Sequence, residues 1–97
     1  MLERGQDSAL LRFSLGNEYL ARNEFDNAIL HLREAVAADA DYSAAWKLLG
    51  KALVAGERAA EARAAFASGI EAAKRNGDRQ AEKEMAVFLR RLEKKSE

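Results

Sequence analysis

The chain of 97 residues contains no cysteine and no proline, and a single histidine, His31. Without Cys there is no disulfide, no thiolate nucleophile and no Cys-bearing zinc or iron–sulfur site. One His is too few to build a metal centre, and mid-helix between Leu30 and Leu32 it reads as a packing or surface residue. No Gly-rich phosphate loop, nucleophile-and-base pair or carboxylate pair in a recognisable motif is present, so neither catalysis nor a cofactor is expected. The longest stretch without a charge is residues 64–70, far short of the roughly 20 apolar residues that span a bilayer. The start, Met1-Leu2-Glu3-Arg4-Gly5-Gln6-Asp7, lacks the apolar run of a secretory signal. The expectation is a cytoplasmic protein without a membrane role.

Apolar residues make up 48% and charged residues 33%, a balance that folds, at a length that supports one small core. Ala, the best helix former, takes 21 positions, and Leu, Arg, Lys and Glu fill most of the rest. The expected class is all-α. Net charge is zero, but the signs are unevenly placed: residues 1–41 carry four Arg against eight acids, and residues 74–97 carry eight bases against five acids. The basic end does not make a nucleic-acid surface. Glu82, Glu84, Glu93 and Glu97 interleave with its cations, and no aromatic on its polar side is placed to stack bases.

Sliding the chain by 34 residues superposes Leu15 on Leu49, Gly16 on Gly50, Ala21 on Ala55, Ala28 on Ala62 and Ala38 on Ala72. In an Ala-rich chain these identities carry little, and the size classes carry more. Tyr19 falls on Leu53, Leu20 on Val54, Leu32 on Phe66 and Val36 on Ile70. A Gly inside a helix costs about 1 kcal/mol relative to Ala, so Gly16 and Gly50 at matching places predict a close approach by another backbone. Apolar spacing and turn residues predict helices over 8–21, 25–38, 43–55, 58–75 and 79–95. Asn23, Gly56 and Asn76-Gly77 are expected to end the first, third and fourth, because both residue types tolerate the left-handed conformation. Asp7 or Ser8, Asp41 or Ser43, and Asp78 are the expected N-caps.

With Trp46, Leu49, Gly50, Leu53, Ala62, Phe66 and Gly69 in register, the second unit resembles a tetratricopeptide repeat. The first unit resembles that family through Leu15, Gly16, Tyr19, the run Phe25-Asp26-Asn27-Ala28-Ile29, and Ala35. Arg12 replaces the signature Trp, and Ala40 replaces the Pro between repeats, leaving the turn there to Asp39 and Asp41. The final segment departs from the pattern, with Lys83-Glu84 where Leu-Gly belongs, and reads as a cap. Ala81, Met85, Phe88, Leu89 and Leu92 form its apolar stripe, and charged residues fill the rest. The expected architecture is one domain over 1–97: an α-solenoid of two helix-turn-helix repeats, 8–42 and 43–76, and a capping helix within 77–95.

The resemblance implies a non-enzymatic adaptor that binds a peptide of another protein on the concave face lined by the first helix of each pair. Carried onto this chain, that face holds Phe13, Asn17, Leu20, Lys47, Lys51 and Val54. Phe13, Leu20 and Val54 would seat an apolar side chain, Asn17 would bond a peptide backbone, and Lys47 with Lys51 would pair with an acid. The blander reading is a solvated Lys pair and a core Phe13. Some relatives grip acidic C-terminal tails with a set of Lys, Asn and Arg; here Asn17 is kept, but Phe13, Leu48, Asp78 and Glu82 stand at the other places, which argues against that use. A competing function is a homodimeric structural subunit joined through an exposed Met85-Phe88-Leu89 face.

Overall fold

The structure, a computed structural model, describes the backbone of residues 4–96 and the side chains of residues 9–94. Met1, Leu2 and Glu3, which bear on the reading of the N-terminal segment, lie outside the described residues. Five helices follow in order: α1 (Arg4–Ala21), α2 (Phe25–Ala38), α3 (Ser43–Ala55), α4 (Ala59–Asn76) and α5 (Arg79–Ser96). Each packs mainly on its sequence neighbours, whereas α1 with α3, and α3 with α5, touch only lightly. The helices therefore form two layers, α1, α3 and α5 in one and α2 and α4 in the other, within extents of 50 × 31 × 17 Å.

The sharp turns share one hydrogen-bond scheme. After α1, α3 and α4, the left-handed positions are Asn23, Glu57 and Gly77, with φ of 63°, 63° and 71°. Their N–H groups bond back to Leu20, Val54 and Lys74, and the next N–H groups reach Tyr19, Leu53 and Ala73 at 2.9, 2.8 and 2.8 Å. This is the Schellman arrangement, which satisfies carbonyls left over at a helix end. Gly56 does not take the left-handed role expected of it: its φ is −85°, and Glu57, 34 residues after Asn23, takes that role instead. The repeat fixes the turn's position, and the neighbouring Gly does not shift it.

Two of the three expected N-caps are also corrected. Helix α1 already begins at Arg4, so Asp7 and Ser8 lie inside it. Tyr42 is the N-cap residue of α3 and makes no side-chain cap bond, while Asp41 and Ser43 bond to other parts of the fold. The Ser43 hydroxyl donates to Asp78 Oδ2 at 3.1 Å, and Arg75 Nε donates to Asp41 Oδ1 at 2.7 Å. Asp78 does cap: its Oδ1 accepts the Ala81 N–H at 3.1 Å at the start of α5. Asp39 organises the Pro-free turn by accepting the Asp41 N–H on its side chain at 3.1 Å. It does not act alone. The Trp46 indole donates to the Ala40 carbonyl at 2.8 Å, and the Asn76 amide donates to the Asp41 carbonyl.

The core explains the glycine pair. A Cβ on Gly16 would overlap the Leu32 side chain, and one on Gly50 would overlap the Phe66 ring. The close approach is made by the large side chain of the partner helix, and not by backbone as the sequence suggested. Each repeat thus contains a socket on its first helix and a knob 16 residues later on its second. Leu32, Leu53, Phe66 and Met85 are fully buried, surrounded by buried Ala at 28, 35, 45, 52, 62 and 73. Small residues let the helices close on one another, and the knobs fill what remains. Helix α5 completes this core: Met85 lies against Gly69, as Trp46 does, and Phe88 stacks on Phe66 with ring centres 5.3 Å apart. The expected dimer face is corrected accordingly, since Met85 is buried and Phe88 and Leu89 pack against the core.

Candidate functional site

The layer of first helices leaves an open groove between α3 and α5. Lys47, Lys51 and Val54 project from α3 at helical spacing, and Glu84, Val87, Phe88 and Arg91 face them from α5. The groove changes character along its length. At the N-terminal end of both helices its lining is polar, with Asp78, Gln80 and Glu84 beside Lys47. At the C-terminal end it opens into a depression of about 570 Å³ lined by Val54, Phe88, Arg91, Leu92 and Lys94.

At the polar end the cation is already paired within the chain, and Asp78 leaves an excess of negative charge. Lys47 Nζ lies 2.6 Å from Glu84 Oε1, and the Gln80 amide donates to Glu84 Oε2 at 3.5 Å. The hydrogen bond from Lys47, the one from Gln80 and then the Lys47 charge hold the Glu84 carboxyl below its ordinary value, with Lys51 adding a smaller pull. The acid that Lys47 meets is therefore one of the chain's own. Lys51 is placed differently: its Nζ lies 5.8 Å from the centre of the Phe88 ring, within cation–π range.

The six residues expected to form a binding face fall into two groups. Lys47, Lys51 and Val54 share the α3–α5 groove. Phe13, Asn17 and Leu20 lie along α1, across α3 from it. Phe13 is half-buried with its ring 5.0 Å from that of Tyr42, Leu20 packs on the core, and Asn17 is exposed. Burial, followed by the Asp39 charge, raises the Tyr42 hydroxyl above its ordinary value. His31 has a structural place: its ring stacks on Tyr19 at 5.3 Å and its Nδ1 meets the Arg12 guanidinium at 3.1 Å. Arg12 also pairs with Glu34 at 2.9 Å, so the residue in the signature Trp position binds α2 by charge. Among the described residues no group of three or more His, Asp or Glu is placed to hold a metal ion, and no helix is long and apolar enough to cross a membrane.

The α5 half of the groove was not apparent from the sequence, which assigned Glu84, Arg91 and Lys94 to a solvated cap surface. A signal did exist. Extending the 34-residue slide once more places Phe88 on Val54 and Leu20, which marks α5 as standing where the first helix of a third repeat would stand. The mismatch at Lys83-Glu84 hid this, because sockets and groove positions occupy different sides of the helix.

Paired helices at a fixed period, closed by knobs in glycine sockets and presenting a groove on one layer, define a helical-repeat scaffold of the α-solenoid class. The tetratricopeptide repeat model matches residues 19–83, and the chain belongs to that family. It is 51% identical over 94 residues to a TPR repeat-containing protein of Pseudomonas aeruginosa, a match covering 97% of this chain and 90% of that one. Among solved structures it is similar to a Bordetella parapertussis protein determined in solution, with 42% identity, a TM-score of 0.80, and coverage of 98% of this chain and 91% of the other. A tetratricopeptide repeat domain protein of Salinibacter ruber, also determined in solution, has 27% identity and a TM-score of 0.80, with 88% and 86% covered. The family membership suggests a protein–protein interaction module.

Proposed function

We propose that the chain is a non-enzymatic adaptor that holds a peptide segment of another protein on the face formed by α1, α3 and α5. The observation that carries this reading is the uncovered apolar strip in the α3–α5 groove, where Val54 and Val87 are 42% and 41% exposed beside half-buried Phe88. Exposed aliphatic side chains flanking an aromatic in a groove are what a peptide anchor covers. The competing function, self-assembly into a structural subunit, rests on a different observation: Leu10 and Leu11 on α1 are each 58% exposed.

Capture from a lysate of the source organism separates these readings when wild type is compared with Val54→Asp and with Leu30→Asp, a control on α2 outside the groove. A protein retained by wild type and by Leu30→Asp, and lost with Val54→Asp, supports groove binding. The converse pattern refutes it. Recovery of the chain alone, together with a dimer mass by light scattering that Leu10→Asp/Leu11→Asp abolishes, establishes self-assembly.

A further inference from the structure

We propose that the C-terminal end of the α3–α5 groove takes a peptide with one large apolar side chain flanked by carboxylates, held by Val54 and Phe88 below and by Lys51, Arg91 and Lys94 at the rim. This rests on the peptide-binding reading and adds the chemistry of the ligand. The floor is preformed: Phe88 is stacked on fully buried Phe66, so one side of its ring is fixed in the core while its other surroundings line the groove. The depression of about 570 Å³ at this end lies within the usual size range of ligand sites.

The charges select the ligand. Among the described residues no Asp or Glu lines the depression formed by Val54, Phe88, Arg91, Leu92 and Lys94, and no ion pair neutralises Lys51, Arg91 or Lys94; Lys51 stands where this depression adjoins the stretch that holds Glu84. The opposite end carries Asp78 and Glu84, with Lys47 already committed to Glu84. A carboxylate approaching the groove is repelled from the polar end and attracted to the apolar one, which sets the register of the segment as well as its sign. Arg91 offers a planar fork suited to bidentate carboxylate binding, and Lys51 and Lys94 act as point charges. Apolar burial on Phe88 and charge at the rim therefore select the same short segment.

Selection from a displayed library of short random peptides tests this on the full chain, with wild type and Arg91→Glu/Lys94→Glu as baits. Both substituted side chains are exposed, and an unchanged helical circular dichroism melt verifies the fold of the variant. The expected wild-type consensus is a Leu, Phe or Trp with neighbouring Asp or Glu. The corresponding synthetic peptide, capped at both ends, is expected to lose about tenfold or more in affinity with the variant at roughly 150 mM salt. Selected peptides without acids, or with equal affinity for the variant, overturn the proposal while peptide binding stands. Amide shifts that cluster at Phe13, Asn17 and Leu20 on peptide addition overturn it in the same way. Failure to select any peptide removes both readings. A wild-type dimer that the double substitution dissociates would identify a second copy as the occupant and overturn the acidic-peptide assignment.

Discussion

The two repeats share a skeleton but differ in what closes it. In the first, Leu32 fills the Gly16 socket, and Arg12 crosses to α2 through Glu34 and His31 at 2.9 and 3.1 Å. In the second, the larger Phe66 fills the Gly50 socket, Trp46 packs against Gly69 and bonds the Ala40 carbonyl, and α5 covers the assembly. The first repeat is thus packed against the rest of the fold through α2, whereas the second is enclosed between α2 and α5. Sockets and knobs are kept because they set the distance between helices. Residues at the rim, such as Arg12 and Trp46, can exchange packing for charge because water reaches them.

Removing the knobs tests the comparison most strongly. Phe66→Ala is expected to cost about 3–5 kcal/mol and Leu32→Ala about 2–5 kcal/mol. Phe66→Ala should also loosen α5, because Phe88 loses its stacking partner. Urea unfolding measures the energies, and amide exchange along α5 distinguishes the two variants. Equal protection of α5 in both would show that it does not depend on the second repeat's knob.

A smaller effect is expected at the matched turns. Asn tolerates the left-handed conformation and Glu does so poorly, so Glu57→Gly should stabilise by about 0.5–1 kcal/mol, and Asn23→Gly should change little. Thermal melts of the two variants check this. A destabilised Glu57→Gly chain would show that the Glu57 side chain has a structural role that outweighs its backbone cost.

The smallest effect is at Lys47–Glu84, the charged link between α3 and α5. The Glu84 carboxyl is held below its ordinary value, chiefly by the hydrogen bond from Lys47. Its contribution is therefore present above the ordinary carboxylate value of 4.5 and is lost as pH falls through the depressed folded value. Melts of wild type and Glu84→Gln should differ slightly at neutral pH and converge on acidification through that window. A difference that persists below the window would assign the effect of the substitution to something other than charge.

The repeat, the five helices and the side of α5 that enters the core were legible in the sequence because they depend on spacing. Apolar stripes such as Ala81, Met85, Phe88 and Leu92 follow from helical geometry alone. Of the candidate face, Lys47, Lys51 and Val54 line one groove because they share one helix at helical spacing. Their partners on α5 were not legible. Glu84 is 37 positions from Lys47, and periodicity gives the side on which a residue stands without naming its neighbour.

The all-α class, the 34-residue period and the large and small positions of the core follow from residue order, because helix geometry and side-chain volume set them. That the glycines receive side chains, that Glu57 carries the left-handed turn, and that α5 forms one wall of the groove emerge in the folded chain alone. Those outcomes depend on how helices rotate and settle against one another, which is set by packing across the whole core.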